Sequence, residues 1–312
     1  MTAPLAPLRL GTRRSLLARR QSAEVAERLQ RLLARRVELV DVTTQGDVDG
    51  SPLASIGGTG VFVSALREAL LEGYIDLAVH SLKDLPTAQA EGLVLAAVPT
   101  RADPRDVLCS RGRRLRDLPA GSRVGTGSPR RAAALRALGL GLEPVAIRGN
   151  VDTRLAMVTD GTCDAVVLAH AGLSRLGRIE AMTQVLEPSE VLPAPGQGAL
   201  AVEVGADLAP SLREAIAGID DPGSRAAVMA ERSLLAALEA GCSAPVGALA
   251  TPVTGGLHLQ ARVWAPDGTR TLAAAATGSL EAPNELGWTV ATALLDNGAA
   301  DLMPVPVKER TP

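Results

Sequence analysis

The feature that most constrains this chain is a repeated alternation of short apolar segments with segments of helical periodicity. Apolar runs at 7–11, 37–44 and 74–81 alternate with helical patterns at 15–36 and 63–73. A β-α-β-α-β order of this kind predicts a mostly parallel sheet whose faces are covered by helices.

The alternation begins again after an apolar run at 92–100 and a polar segment at 101–106. Short strands are predicted in DVLCS, SRVGTGS, EPVAI and CDAVVLAH, with helices between them. A second crossing at 193–204 ends in apolar residues like a buried strand. Two α/β units joined by a short hinge would leave a cleft, and ligands of such sheets gather at the carboxyl ends of the strands.

A third region has a different pattern. Residues 222–241 predict a helix that begins at a proline and ends at Gly241, and NELGWTVATALLDNGA predicts a last helix. Between them, LHLQARVWAP and TRTLAAAATG alternate like an antiparallel hairpin, with Asp267 and Gly268 at its turn. This region is expected to be a separate α+β unit.

Composition excludes several classes of protein. The chain has 312 residues, 46% hydrophobic and 21% charged, as is typical of a globular protein of two or three domains. Its net charge of −2 gives no reason to expect a nucleic-acid partner. Three cysteines without a C-x-x-C pair and three scattered histidines predict neither a disulfide framework nor a metal site. No apolar run approaches the roughly 18 residues that span a membrane, so a reduced, cytoplasmic protein is expected.

The segment AVHSLKDLP places Lys83 and Asp84 just past the carboxyl end of a predicted strand. An adjacent lysine and aspartate often form only a solvated turn. However, Lys308 is the only other lysine, and the pair lies at the edge of the predicted cleft. An aspartate there could stabilise a developing cation and move protons, and both interpretations stay open.

The segment VGTGSPRR runs from a predicted strand into a predicted helix. Ser128 suits the N-cap and Pro129 the first helical position, where free N–H groups and the helix dipole attract anions. Arg130 and Arg131 lie beside this helix start. The pattern allows a plain cap with surface arginines as well as a carboxylate or phosphate site. It lacks the ending of a nucleotide P-loop.

Four further arginines lie at predicted strand-to-helix turns. Any one of them alone could be a solvent-exposed residue without a binding role. Together they could form carboxylate-binding forks that converge on one cleft. They are Arg13, Arg148, Arg154 and Arg175.

Two other residues are candidates because of their surroundings. Phe62, the only phenylalanine, follows a long glycine-containing connection that resembles a lid, and it could either pack in a core or cover a ring-shaped ligand. Cys242 lies among small residues in LEAGCSAPVG, whereas Cys109 and Cys163 have apolar neighbours. On packing grounds alone, a thiol in such a loop could have a chemical role or be only another small residue, and both interpretations stay open.

Eight segments, in order, resemble the porphobilinogen deaminase (hydroxymethylbilane synthase) family: TRRS, GGTGVF, AVHSLKDLP, VGTGSPRR, RGNVDTRL, AGLSRLG, LPAPGQGAL and LEAGCSAPVG. The resemblance implies an α/β enzyme in which two domains similar to type II periplasmic binding proteins enclose a cleft, followed by a small α+β domain. The implied division is 1–100 with 198–217, 105–194, and 221–312.

The resemblance also implies an activity. The family joins four porphobilinogen molecules head to tail, releases ammonia at each step and hydrolyses the product to hydroxymethylbilane, in tetrapyrrole biosynthesis. It uses a dipyrromethane cofactor held by a thioether, and the match of GCSAP implies attachment to Cys242. It further implies a monomer that binds porphobilinogen and the growing pyrrole chain. On the composition, neither a nucleic-acid partner nor a membrane is expected.

Site roles follow from the matched positions. Asp84 would stabilise positive charge near pyrrole nitrogens and assist proton transfer. Cofactor carboxylates would be held by Lys83, Thr126, Ser128, Arg130, Arg131 and Arg154. Substrate or the elongating chain would be bound by Arg13, Ser15, Phe62, Arg148 and Arg175.

Two positions depart from the family pattern. Thr59 replaces a lysine that many relatives have in the lid, and Pro129 replaces a common leucine, which a first helical position tolerates. The competing hypothesis is a two-lobed small-molecule binding protein without catalysis. Such a protein would need neither Lys83 and Asp84 at the cleft nor a loaded thiol.

Overall fold

The computed structural model describes residues 6–43, 63–240 and 244–303. The described helices are α1 (Leu16–Leu33), α2 (Ser64–Leu71), α3 (Pro129–Ala137), α4 (Val151–Thr159), α5 (His170–Arg175), α6 (Pro210–Ala217), α7 (Pro222–Ala237) and α8 (Pro283–Asp296). The described strands are β1 (Leu8–Arg13), β2 (Val37–Val42), β3 (Leu77–Ser81), β4 (Leu93–Ala97), β5 (Asp106–Ser110), β6 (Arg123–Thr126), β7 (Glu143–Ala146), β8 (Ala165–Ala169), β9 (Gln184–Val185), β10 (Leu200–Gly205), β11 (Val246–Val253), β12 (Gly256–Trp264) and β13 (Thr271–Gly278). Within these ranges no helix is both long and apolar enough to cross a bilayer.

Two five-stranded sheets have the same plan. The first has the order β2-β1-β3-β10-β4 and defines the first lobe, and the second has the order β7-β6-β8-β5-β9 and defines the second lobe. In each sheet the first three strands of the order are parallel, and the fourth strand runs antiparallel to both of its neighbours. The mostly parallel α/β arrangement predicted from the sequence is therefore confirmed.

The chain passes between the lobes twice. The first crossing segment (98–105) leads from β4 into β5, and the second crossing segment (186–199) leads from β9 back into β10. The crossings approach closely at Gly198, where an added Cβ atom would lie 2.5 Å from the carbonyl oxygen of Ala102. Gly198 also has φ +89°, a conformation that favours glycine.

The third unit consists of the antiparallel sheet β11-β12-β13 packed against α7 and α8. The predicted hairpin is confirmed: β12 pairs with β13, and Gly268 at the turn has φ +78°. β11 was not predicted from the sequence, because small residues and Pro252 in VGALATPV give little strand signal.

Each sheet has an apolar core, and that of the second lobe also includes Leu249 and Trp264 of the third unit. Leu10 is fully buried in the first lobe, Leu108 in the second and Leu259 in the third unit. The third core consists mainly of alanine, leucine and valine from α7, α8 and the three strands. Separate cores of this kind are expected when one chain builds several compact units.

Glu231 of α7 fastens the third unit to both crossing segments. Its carboxylate is fully buried and accepts hydrogen bonds from Arg101 at 2.7 and 3.0 Å, from the backbone of Gly196 at 2.6 Å and from that of Ala250 at 2.8 Å. Four donors satisfy a buried carboxylate that would otherwise be costly to desolvate. The crossings are thus held against α7.

The predicted end of α7 at Gly241 is wrong. The helix ends at Ala237, and Glu239 adopts φ +50°. The N–H of Glu239 donates to Ala236 O and that of Ala240 to Leu235 O, which is the hydrogen-bond pattern of a Schellman termination. Glutamate occupies the left-handed position where glycine is usual, so the sequence signal pointed two residues too far.

Candidate functional site

Lys83 and Asp84 lie where the first lobe meets the second crossing segment. β3 ends at Ser81, and a short 3₁₀ helix, Leu82–Asp84, carries both residues. Asp84 is exposed, whereas Lys83 is half-buried and its Nζ donates to Oε1 of Gln197 at 3.3 Å. Burial lowers the pKa of Lys83, as do the nearby positive charges of Arg131 and Arg130, against the opposing effects of Asp84 and Asp106.

Arg130 and Arg131 surround a fully buried carboxylate, that of Asp106. Arg130 Nη2 donates to Oδ2 of Asp106 at 2.8 Å, and Arg131 donates to Oδ1 through Nη2 at 2.7 Å and Nε at 3.1 Å. The two arginines are only 3% and 6% exposed. They are therefore parts of an internal network and not the surface arginines that the sequence left open.

Asp106 is ionised because of these partners. Burial alone would raise its pKa, but the charges of Arg130 and Arg131 and hydrogen bonds from Arg131 and Gln197 hold it well below its usual range. One carboxylate against two guanidiniums leaves net positive charge. Arg130 Nε is buried without a hydrogen-bond partner among the described residues.

Gln197 connects the two lobes. Its Nε2 donates to Oδ1 of Asp106 at 2.8 Å and to the carbonyl oxygen of Pro104 at 2.7 Å. Its Oε1 accepts from Lys83 of the first lobe and, at 3.4 Å, from Arg131 of the second. All four hydrogen-bonding positions of the side-chain amide are used.

The start of α3 is capped as the sequence predicts. Ser128 Oγ accepts from the backbone N–H of Arg131 at 3.5 Å, and Pro129 occupies the first turn. Thr126 is buried, and its Oγ1 accepts from the N–H of Ser128 at 3.1 Å. This local order fixes the direction in which Arg130 and Arg131 leave the helix.

Arg148 and Arg154 extend the positive charge toward solvent. Arg148 is exposed, and Arg154 is half-buried with its Nε donating to the carbonyl oxygen of Gly149 at 2.9 Å. Burial lowers the pKa of Arg154, and the charges of Arg131 and Arg148 lower it further. Lys83 and Arg131 both donate to the amide oxygen of Gln197, and the charges of Arg131 and Arg148 both act on Arg154. We call Lys83, Arg131, Arg154 and Arg148 the cationic row.

Three predicted substrate-binding residues lie on the lobe faces. Arg13 ends β1 and is half-buried, and Ser15 caps α1 by accepting from the N–H of Ala18 at 3.3 Å. Arg175 ends α5 and contacts Glu24 of α1, so this predicted carboxylate fork already has an acidic partner. Phe62, Cys242 and Thr59 lie outside the described residues.

Sequence reasoning missed three members of the site. Asp106 lies in the polar segment 101–106, which was interpreted as a hinge. Gln197 lies in the motif LPAPGQGAL, but no role was predicted for it. Glu24 was one of many polar residues on a helix. Only their long-range partners identify them, since Gln197 and Asp106 are 91 positions apart.

Comparison with known families identifies the kind of protein to which this site belongs. Residues 8–211 match the model described as porphobilinogen deaminase, dipyromethane cofactor binding domain, and residues 225–296 match the C-terminal domain model. The chain belongs to the porphobilinogen deaminase family.

Curated members of the porphobilinogen deaminase family are similar over nearly the whole length. Porphobilinogen deaminase 1 of Streptomyces coelicolor is 57% identical over 310 residues, covering 95% of this chain and 97% of that protein. The porphobilinogen deaminase of Nocardia farcinica is 54% identical, covering 95% and 88%. That of Mycobacterium tuberculosis is 51% identical, covering 95% and 98%. The resemblance found from the motifs is confirmed.

Solved structures outside the deaminase family show a weaker likeness. The methionine-binding protein MetQ aligns with a TM-score of 0.43 and 14% identity, over 68% of this chain and 89% of that one. A periplasmic substrate-binding protein from Coxiella burnetii aligns with a TM-score of 0.44 and 14% identity, over 70% and 94%. These scores are too low to support a functional comparison, and the fold rests on the matching plans of the two sheets.

Proposed function

We propose that this chain is an active porphobilinogen deaminase, a transferase that joins four porphobilinogen molecules head to tail and releases hydroxymethylbilane by hydrolysis. The observation that carries the proposal is the cationic row beside the exposed carboxylate of Asp84. Each pyrrole ring of the substrate and product carries an acetate and a propionate. A cleft that accumulates several such rings needs clustered cations of this kind.

The residues present fit a dipyrromethane cofactor. Its two rings would bring four carboxylates, and Lys83, Arg131 and Arg154 supply cations whose mutual repulsion an anionic group would relieve. The unpartnered Nε of Arg130 is a further buried donor. When bound through a thioether to Cys242, the cofactor would supply the primer from which the pyrrole chain grows. Thr126 and Ser128 would orient its side chains.

Asp84 would assist the reaction through the negative charge of its carboxylate. Loss of ammonia from porphobilinogen leaves positive charge near the pyrrole nitrogen, and a carboxylate at the end of β3 can stabilise that charge. Because Asp84 is exposed at the cleft edge, it can also accept the proton lost after carbon–carbon bond formation. Arg13, Ser15, Arg148 and Arg175 would bind substrate carboxylates, with Phe62 as cover.

The proposal includes the family's organisation. We propose domains at 1–100 with 198–217, at 105–194 and at 221–312, a division supported by the fact that each contains one of the three sheets. We also propose a monomer, as the family resemblance implies, and a cytoplasmic location, as the composition predicts. Light scattering of the purified protein would test the monomer, since a stable dimer would have twice the chain mass.

Intact mass spectrometry tests the cofactor. Freshly purified, active protein should exceed the polypeptide mass by one covalent adduct, and Cys242→Ala should have the bare polypeptide mass. Cys163→Ser is the matched control, because Cys163 is buried in the second lobe and should leave the adduct in place.

Turnover tests the reaction itself. The protein with its adduct should consume porphobilinogen and release ammonia and hydroxymethylbilane in a ratio of four to four to one. Active protein with the bare mass would contradict the cofactor assignment. An adduct-bearing protein that binds porphobilinogen without releasing ammonia would instead favour the non-catalytic binding hypothesis.

A further inference from the structure

We propose that Glu24 competes with substrate carboxylates for Arg175 and thereby sets the affinity of the cleft for porphobilinogen. The inference rests on the proposed function, in which Arg175 binds carboxylates of the substrate or growing chain. It adds a residue of the first lobe to that site, one that acts as an internal carboxylate.

The contact between Glu24 and Arg175 crosses from lobe to lobe. Glu24 lies on α1, which follows β1, and Arg175 is the last residue of α5, which follows β8. Arg175 Nε donates to Glu24 Oε2 at 3.1 Å. Close by, Gly172 of α5 faces the side chain of Leu17 of α1, so the two helices touch. Both helices begin at carboxyl ends of parallel strands, where a cleft ligand would lie.

The contact occupies one of the two edges through which the guanidinium can bind a substrate carboxylate. Nε points to Glu24, and Nη2 donates to the carbonyl oxygen of Gly198 at 3.1 Å. A carboxylate binds arginine most strongly through two parallel N–H groups, and the Nε–Nη2 edge is one of the two that provide them. Substrate can take this edge only when Glu24 leaves it.

Burial makes the pairing important to Arg175. The arginine side chain is 10% exposed and that of Glu24 is 33% exposed. A guanidinium with so little access to water needs an anionic partner, which Glu24 supplies in the absence of ligand. A substrate carboxylate satisfies the same need, so the exchange replaces one ion pair with another.

Glu24 has a second cation to which it can retain its bond. Arg28, one turn further along α1, donates from Nη2 to Glu24 Oε1 at 3.0 Å. When a substrate carboxylate displaces Glu24 from Arg175, the glutamate therefore remains paired. The pairing with Arg28 lowers the free-energy cost of the exchange. Arg175 becomes available to the ligand, and the carboxylate of Glu24 is not left without a cationic partner.

Steady-state kinetics of the cofactor-loaded protein test the proposal. Glu24→Gln should lower the KM for porphobilinogen roughly threefold, with kcat little changed, because an anionic competitor is removed. Glu27→Gln is the matched control: Glu27 is exposed on the same helix, so its loss changes net charge equally without freeing Arg175. Arg175→Gln should raise KM.

The outcomes separate this inference from the proposed function. A KM in Glu24→Gln that equals or exceeds that of the unmodified protein, while Arg175→Gln raises KM, overturns the competition alone. An equal fall in KM in Glu27→Gln also overturns it, because a general charge effect would then suffice. If Arg175→Gln leaves KM unchanged, the proposed substrate role of Arg175 is wrong and the competition is overturned with it.

Discussion

The ammonium group of Lys83 lies 3.3 Å from the side-chain oxygen of Gln197, so this lysine of the first lobe is bonded to the second crossing segment. The same amide reaches Asp106 and Arg131 in the second lobe. At the cationic row, one neutral side chain therefore joins the two lobes.

Gln197→Met should lower both stability and activity. Methionine has a similar volume but makes none of the four side-chain hydrogen bonds of Gln197, which join it to Pro104, Asp106, Lys83 and Arg131. Their loss should lower the unfolding free energy by about 2–4 kcal/mol. Urea unfolding and kcat/KM for porphobilinogen would measure the two effects. Gln184→Met is the control, because Gln184 bonds Leu115 of the second lobe and Glu190 of the second crossing segment, and neither lies in the first lobe. Equal kcat/KM in the two variants would contradict a role for Gln197 in aligning the lobes.

Asp84→Asn should nearly abolish turnover without unfolding the protein. The substitution removes one negative charge and keeps the shape, so kcat should fall about 100-fold or more. Because Asp84 is exposed, the free energy of unfolding should change by less than about 0.5 kcal/mol. Glu91→Gln removes an exposed charge elsewhere in the first lobe and should alter neither quantity. Retention of normal kcat in Asp84→Asn would remove Asp84 from the proposed mechanism.

The first lobe should lose stability in acid because of Glu203. Burial alone would raise the pKa of Glu203, but hydrogen bonds and charges from His80 and Arg67 lower it from 4.5 to about 2. The unfolded chain therefore takes up a proton before the folded one, and the stabilisation is complete above pH 4.5 and lost as pH falls through about 2. Its size at neutral pH is roughly 3 kcal/mol.

Glu203→Gln isolates this contribution. The variant should be less stable than the unmodified protein at pH 7, and the difference should shrink as the pH is lowered below 4.5 toward 2. Chemical unfolding at a series of pH values measures it. Asp41→Asn is the control, because Asp41 pairs with Arg19 at the surface and such pairs contribute less than about 1 kcal/mol. A stability difference independent of pH would refute the assignment to Glu203.

Glu239→Gly should stabilise the protein by roughly 0.5–1 kcal/mol, because glycine avoids most of the steric cost of φ +50° at the end of α7. Thermal unfolding would show a higher Tm. Glu72→Gly is the control: Glu72 ends α2 with φ −79°, where glycine only increases the freedom of the unfolded chain. A Tm that falls in Glu239→Gly would contradict this account.

Contacts between neighbouring residues could be predicted from the sequence. Hydrogen bonds between residues far apart in the chain could not. The cap formed by Ser128 and Pro129 depends on adjacent residues, and the sequence predicted it correctly. The hydrogen bond between Asp106 and Gln197 forms because two segments that are far apart in sequence meet in the fold. No local sequence pattern indicates that meeting. The predicted end of α7 was misplaced because glycine, here Gly241, usually follows the end of a helix. In the structure it is Glu239 that adopts the left-handed conformation.

The position of β10 has a consequence for how the polypeptide is made. All six residues of β10 are buried, and the strand lies between β3 and β4. When the first 97 residues have left the ribosome, β3 and β4 are complete, but β10, which pairs with both, has not yet been synthesised. Their unpaired edges remain open to chaperones or to other nascent chains until residue 205 emerges. The first lobe to be synthesised is thus unable to finish folding before the second has been made.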